Sequence, residues 1–292
     1  MALGHHVVLK LYDERVIAPT PAAQRVLGRT ALRVGEGFPL VALRAADTHI
    51  HLLVACDEAT ARELARRVAG SLRRALALPV RFDRARATPV VDQRHLLNSF
   101  RYVLRQHARH GIASDPLFDA SNLPDLLGMR LLGAFTQAHV GALLPRLARP
   151  ELRALLGVPE LDEPRPVSLD DLADAAAGAA GLADLCDRSR AAVAARRAAA
   201  QAVAHSTATG ATAACATATG ATASTSTATH PSARELASAL GVGQHAVRKL
   251  LLQPVEPALL RAVRLQLRAR AALRTRALAG AALAGDLAGA AS

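Results

Sequence analysis

The chain has 292 residues, a formal net charge of +12, 51% hydrophobic residues and only 2% aromatic residues. This length suggests about two domains, and the hydrophobic content is sufficient for a hydrophobic core. The three cysteines are widely spaced, at Cys56, Cys186 and Cys215, and indicate neither a disulfide framework nor a zinc cluster. The N-terminus has no signal-peptide pattern, and the alanine-rich tail from Ala277 is too weakly hydrophobic and too often broken by glycine for a membrane span. We therefore expect a cytoplasmic protein without a membrane partner.

Seven elements are predicted in the first 111 residues. The pattern predicts strands over 5–12, 38–45, 49–56 and 79–84, and helices over 20–35, 57–76 and 92–111. A short turn at Asp47 and Thr48 joins the second and third strands into a hairpin. The order β-α-β-β-α-β-α is typical of a ferredoxin-like sheet followed by one further helix, so we expect an α+β fold.

The third predicted strand carries two histidines, His49 and His51, in the stretch ADTHIHLLVA. Side chains alternate along a strand, so both histidines share one face while Ile50, Leu52 and Val54 share the other. A strand with a clean apolar face and two adjacent imidazoles is either solvated on the imidazole face or built to hold a ligand.

The helix predicted over 92–111 carries a tyrosine in the middle of its polar side. On a helical wheel the apolar side comprises Leu96, Leu97, Phe100, Val103 and Leu104, and the polar side comprises His95, Asn98, Ser99, Tyr102, Arg105, Gln106 and Arg109. Gln106 follows Tyr102 by one helical turn and lies on the same side. Tyr12, the other tyrosine of the chain, falls at the end of a predicted strand, which leaves Tyr102 as the candidate nucleophile.

Two imidazoles and one amide oxygen, from His49, His51 and Gln106, could together hold a divalent cation. A mixed nitrogen and oxygen set suits Mg²⁺ or Mn²⁺ with water completing the shell. A metal ion polarises a phosphate for in-line attack, and a tyrosine oxygen beside it is a competent nucleophile. The arginines of the same helix, Arg101, Arg105 and Arg109, either clamp neighbouring phosphates or form a solvated face.

These residues resemble those of the HUH single-tyrosine transposases of the smallest bacterial insertion sequences, and particularly the REP-associated tyrosine transposases. The resemblance covers about residues 5–130. It rests on HIH at 49–51, on YVLRQHARHG at 102–111 and on the order of elements, with weaker support from FDASNLPDLLGMR at 118–130.

In that family, two histidines and a polar residue four positions after the tyrosine bind the metal. The resemblance therefore implies a metal site of His49, His51 and Gln106, with Tyr102 as the nucleophile. Related replication initiators and plasmid relaxases have a lysine after the tyrosine or place the tyrosine before the histidines. Gln106 and the chain order favour the transposase branch.

The remaining chain divides by composition into three further segments. A helical extension is predicted over 131–204, a flexible linker rich in Ala, Thr, Ser and Gly over 205–230, and a C-terminal module over 231–292, beyond the catalytic domain at 1–130. The stretch 231–252 has a helix-turn-helix pattern, with Ser232 and Glu235 as a capping box and Gly241 in the turn. The second helix of this pattern would expose four polar side chains to a DNA major groove, namely Gln244, His245, Arg248 and Lys249. A plain helical hairpin is the alternative.

Basic residues concentrate at both ends of the chain. Residues 1–114 carry 18 basic and 9 acidic side chains, residues 115–230 carry 9 and 12, and residues 231–292 carry 9 and 3. Arginine-rich codon usage contributes to the total but does not explain this distribution. Two basic regions around a mildly acidic middle favour a polyanionic partner at both ends.

The leading hypothesis is a metal-dependent DNA strand transferase, a transposase-like enzyme that cuts single-stranded or hairpin DNA and keeps a 5′-phosphotyrosine link before rejoining. It would be cytoplasmic and associated with the nucleoid. The sequence does not decide between a monomer and a homodimer. One alternative is a sequence-specific DNA-binding regulator with a non-catalytic nuclease fold; a domesticated nickase is another. An RNA-binding protein also fits the basic charge, although sparse aromatic residues argue against base-stacking surfaces.

Overall fold

A computed structural model describes residues 2–106, 115, 117–147, 149–155, 168–216 and 231–289, with the backbone alone for 149, 155, 205–216 and 276–289. The chain forms two compact units, residues 1–159 and residues 160–292. The extension predicted over 131–204 is therefore divided between the two units instead of forming a segment of its own.

The first unit is built on a four-stranded antiparallel sheet, which makes the chain an α+β protein. Its strands are β1 (Gly4–Lys10), β2 (Leu40–Ala46), β3 (His49–Val54) and β4 (Arg86–Val90), in the spatial order β2-β3-β1-β4. His51 is the register partner of Arg44 in β2 and of Val8 in β1, and Val8 is in turn the partner of Arg86 in β4. These four residues form one row across the sheet, on one of its faces.

The fourth strand lies later in the chain than predicted. A strand was expected over 79–84, but Phe82 of that segment pairs with Leu11 in an isolated bridge, and β4 starts at Arg86. β4 contains Pro89, which argues against a strand in a sequence. The structure places β4 at an edge of the sheet, where a missing backbone N–H is tolerated.

Two helices, α1 (Pro21–Gly35) and α2 (Glu58–Ala75), bury the apolar side chains of the sheet. Thr20 and Asp57 cap these helices by accepting hydrogen bonds from backbone N–H groups three residues on. The core joins them to alternate strand residues, and includes Val7, Leu9, Leu27, Leu32, Ile50, Leu52, Leu64 and Val68. The predicted apolar face of the third strand is thereby confirmed.

The helix that carries Tyr102, α3 (Gln93–Leu104), packs on β2, β3 and β4. Asp92 is its N-cap, as predicted, and accepts a hydrogen bond of 2.7 Å from the His95 N–H. The helix ends at Leu104 with Arg105 as its C-cap, earlier than the predicted end at 111. Residues 107–111 of that prediction lie outside the described residues.

A segment after α3 runs along the outer edge of β2. Asn122 exchanges hydrogen bonds with Leu43 through its backbone N–H (3.0 Å) and its side-chain oxygen (2.9 Å), and the Ala45 N–H donates to the Ala120 carbonyl at 2.8 Å. Close by, Gly28 of α1 leaves no room for a Cβ atom, which would lie 2.1 Å from the Asp119 carbonyl oxygen. The segment thus covers the edge beside Arg44. Helices α4 (Leu123–Leu126), α5 (Phe135–Leu143) and α6 (Arg149–Leu155) follow.

The second unit is helical in its described part. After a 3-10 turn (Leu169–Asp171) come α7 (Leu172–Ala180), α8 (Arg190–Ala216), α9 (Ala233–Leu240), α10 (Gln244–Leu252) and α11 (Pro257–Gly289). Helix α11 packs on α7 and α8, α10 packs on α8, and α9 packs on α7. The module predicted over 231–292 is therefore not a separate body on a tether, because it shares a hydrophobic core with 168–204.

The first part of the linker predicted over 205–230 is helical. Residues 205–216 continue α8, and residues 217–230 lie outside the described residues. Alanine has the highest helix propensity, which allows an alanine-rich segment to extend a helix. Within the described ranges, the structure has no helix with both the length and the apolar character needed to cross a membrane.

Candidate active site

The two histidines of β3 lie side by side on the face of the sheet that α1 and α2 do not cover. Their ring centroids are 4.6 Å apart with the rings nearly perpendicular. His51 is buried, whereas His49 is half-buried and lies 3.3 Å from the Thr48 hydroxyl through its Nδ1. The alternation predicted from the sequence has thus brought the two imidazoles together.

Tyr102 of α3 lies beside His51 on the same face of the sheet. Its ring lies 5.6 Å from the His51 ring in an edge-to-face arrangement, and the side chain is 37% exposed. Helix packing explains this placement, because Leu96, Phe100 and Val103 are completely buried and turn the opposite side of α3 outward. The predicted nucleophile and a predicted ligand are therefore neighbours.

Gln106 lies just beyond the end of the tyrosine helix and not within it. Its side chain is buried, and its Nε2 donates a hydrogen bond of 3.1 Å to the carbonyl oxygen of Tyr102. The amide oxygen is then the atom that Gln106 would present to a cation. The structure thus places Gln106 next to the main chain of Tyr102, beyond the end of the helix that was predicted to carry both residues.

His6 belongs to this cluster and was missed in the sequence, where it had no partner. Its Nε2 lies 2.9 Å from Nδ1 of His51, the two rings stack at 5.1 Å, and its ring centroid is 5.6 Å from that of Tyr102. Burial lowers the pKa of His6 below 6.5, and the positive charges of His95 and Arg86 lower it further. The neutral imidazole is thereby favoured beside His51.

A cavity of about 790 Å³ opens beside Tyr102 and continues the site toward β4. Its lining is basic and polar, and comprises His6, Val8, Arg86, Thr88, His95, Asn98, Ser99, Arg101, Tyr102 and Arg105. Of the three predicted phosphate-binding arginines, Arg101 and Arg105 are exposed here, and Arg109 lies outside the described residues. Arg86 of β4 adds a third guanidinium to the cavity. The sequence did not indicate this residue, because the fourth strand was predicted over 79–84 and not over 86–90.

The donors fit a divalent cation in type. The hydrogen bond between His6 and Nδ1 of His51 makes Nε2 the nitrogen through which His51 would bind a metal, in the usual arrangement of a ligand held by a second residue. In the part of the chain that the structure describes, no three His, Cys, Asp or Glu side chains converge as metal ligands. The candidate set differs from such a site because its third donor, Gln106, is an amide.

The second predicted DNA-binding region has the expected local structure. Ser232 and Glu235 form a complete capping box at the start of α9, and Gly241 ends that helix with a left-handed φ of 63°. Val247 and Leu250 of α10 are buried. The four residues predicted to be available to DNA, Gln244, His245, Arg248 and Lys249, are all exposed on α10.

The chain matches no family model, no curated protein and no solved structure.

Proposed function

We propose that the protein is a metal-dependent DNA strand transferase that cuts single-stranded or hairpin DNA through Tyr102 and rejoins it. The observation that carries this proposal is the meeting of Tyr102 with His51 at 5.6 Å, on the sheet face where His49 also lies. A ferredoxin-like fold is part of the same proposal, and the antiparallel strand order β2-β3-β1-β4 supports it.

In the proposed reaction, the Tyr102 oxygen attacks a phosphorus atom of the DNA backbone. A 5′-phosphotyrosine bond forms, the bond to the 3′ oxygen breaks, and that oxygen leaves as a 3′-hydroxyl group after taking up a proton. A 3′-hydroxyl later attacks the same phosphorus and releases Tyr102, which regains its proton. The covalent link conserves the energy of the phosphodiester, so joining needs no nucleotide cofactor.

A Mg²⁺ or Mn²⁺ ion held by His49, His51 and Gln106 would polarise the scissile phosphate. His6 holds the ring of His51 through the 2.9 Å hydrogen bond, which fixes the direction of that ligand. Arg86, exposed at the cavity with Arg101 and Arg105, provides positive charge along the path of the strand.

The test is a covalent-adduct assay on denaturing gels with fluorescent hairpin DNA and Mn²⁺. Tyr102→Phe removes the nucleophilic oxygen alone, so we expect it to abolish the adduct while DNA affinity changes by less than about twofold. Tyr12→Phe, the matched control at the exposed second tyrosine, retains the adduct. An adduct formed by Tyr102→Phe at the wild-type level rejects the assignment.

A second candidate function, a DNA-binding regulator without catalysis, is favoured by the four exposed polar side chains of α10. In either case we propose that α10 contacts duplex DNA. Arg248→Ala is expected to weaken discrimination between target and non-target duplexes by about 1–3 kcal/mol if its side chain reads a base edge. Full duplex binding without any covalent adduct would favour the regulator.

A further inference from the structure

Arg44 is a fully buried arginine on the same sheet face as the candidate active site. It is 0% exposed, and it is the register partner of His51 on the neighbouring strand. Directly paired strand residues share a face, so its side chain leaves the sheet beside that of His51. The aliphatic core of α1 and α2 lies on the opposite face.

The guanidinium of Arg44 has no hydrogen-bond partner among the described residues. Its Nε, Nη1 and Nη2 atoms are all buried and all unpaired. Phe118 provides an aromatic contact, with the Arg44 Cζ 5.1 Å from the ring centroid. Burial lowers the pKa of Arg44 to about 10, while the negative charge of exposed Asp115 opposes that shift. The group therefore stays charged at neutral pH.

Arg130 shows how the same unit satisfies a buried arginine. It is 2% exposed and forms a 2.5 Å ion pair with Asp125, which is completely buried. It also donates to the backbone carbonyl oxygens of Asp119 and Ser121. Burying an unpaired charge costs much more than burying a paired one. Among the described residues, Arg44 has no such ion pair or hydrogen bond, and it lies next to a proposed phosphate-reacting site.

We propose that Arg44 is a phosphate-binding residue, whose ion-pair partner is a phosphate group of the DNA strand in the active site. This inference rests on the proposed function, because the anion is part of the substrate. A guanidinium binds phosphate through N–H groups in its plane, whereas Phe118 contacts it as an aromatic ring, so the two contacts are compatible. Since Arg44 is fully buried, the phosphate enters with a local displacement of covering side chains such as Phe118.

The experiment measures the thermal unfolding of the full chain in phosphate-free buffer, with inorganic phosphate, and with a mixed-sequence single-stranded 30-mer. The variants are Arg44→Met, Arg44→Lys and the control Arg15→Met, an exposed arginine that pairs with Asp13. Without anions, Arg44→Met is expected to have a higher Tm than the wild type, because it removes an unpaired buried charge. A purely structural arginine predicts a lower Tm for this variant, and that result overturns the proposal.

Phosphate at about 100 times its Kd is expected to raise the Tm of the wild type and of Arg15→Met by about 5 °C. Arg44→Lys should retain part of this shift, and Arg44→Met should lose it. The 30-mer should give the same dependence on Arg44. An equal response of wild type and Arg44→Met to both probes rejects the site, and a response to free phosphate alone rejects the assignment to the strand.

The same assay separates this inference from the proposed function. Tyr102→Phe is expected to keep the Arg44-dependent shift with both probes, because it retains the sheet face and loses the nucleophile. A protein that shows this shift with the 30-mer but forms no covalent adduct retains the anion site and fails as a strand transferase. A protein that forms the adduct without any Arg44-dependent shift is a strand transferase and lacks the proposed anion site at Arg44.

Discussion

The two faces of the sheet are made from the same strands and have different chemistry. On one face, Ile50 and Leu52 of β3 join an aliphatic core under α1 and α2. On the other, His49 and His51 of the same strand lie side by side, and His51 contacts Tyr102 of α3. Alternation along one strand thus separates the residues that stabilise the fold from the residues that would react.

The difference shows that burial has a different meaning on each face. Leu52 is buried among aliphatic side chains, where removal from water contributes directly to stability. Arg44 and His51 are equally buried but polar, and Arg44 lacks a hydrogen-bond partner among the described residues. A fold carries such a group at a cost in stability, which is typical of functional sites.

The largest expected effect on stability is on the aliphatic face. Leu52→Ala should lower the free energy of unfolding by about 2–5 kcal/mol, because it leaves a cavity in a closely packed core. The matched change on the other face, His49→Ala, should lower it by less than about 1 kcal/mol, since His49 is half-buried. Urea unfolding monitored by circular dichroism measures both. Equal losses would mean that the two faces share the stabilising role.

Substitution of the candidate ligands should have a large effect on activity. His51→Ala is expected to lower the rate of adduct formation by about 100-fold or more, and Gln106→Ala by less, because water can replace a neutral oxygen ligand. Rates are measured by single-turnover cleavage across a Mn²⁺ titration, with Leu52→Ala below its Tm as the control for folding. Wild-type rates in both ligand variants would place the metal site elsewhere.

A smaller effect is expected for the arginines at the cavity. Arg101→Ala and Arg105→Ala should each make the salt dependence of single-strand binding shallower by about one phosphate contact. Arg73 is exposed on α2, which packs against the opposite side of the sheet, and Arg73→Ala should leave the slope unchanged. Fluorescence anisotropy at several salt concentrations provides the slopes. An equally shallow slope for Arg73→Ala would indicate that the strand is bound through the net charge of the protein and not through the sheet face that carries the cavity.

The smallest effect concerns pH. His6 has a pKa in the folded state below the ordinary value of 6.5, so the unfolded chain binds more protons than the native state once the pH falls below that value. The free energy of unfolding is therefore expected to decrease from pH 7 to pH 5. His6→Gln should show a weaker decrease than the wild type when both are measured in EDTA. Parallel pH curves for the two proteins would contradict the assignment of this contribution to His6.

Local patterns predicted much of this architecture. Period-two alternation placed His49 and His51 on one face, and the cap at Asp92 and the wheel around Tyr102 gave the start and the exposed side of α3. These features depend on residues close together in the chain. Such short-range information is what a single sequence contains most directly.

The features that were missed depend on pairing between distant residues. His6 and Arg44 join the site because β1 and β2 flank β3 in a specific register, which no local pattern reveals. The predicted linker failed for a different reason, since its alanines favour helix where α8 can extend. Its first half therefore became helical, and the C-terminal helices packed with α7 and α8 as one unit.

The most direct test of the central claim is to identify the residue that becomes linked to DNA. The wild-type protein is incubated with hairpin DNA and Mn²⁺, digested with nuclease and trypsin, and analysed by mass spectrometry. Cleavage after Arg101 and Arg105 isolates Tyr102 in the peptide YVLR. We expect this peptide to carry a 5′-nucleotide phosphate on Tyr102. A nucleotide on Tyr12 or on another residue, with Tyr102 unmodified, would contradict it.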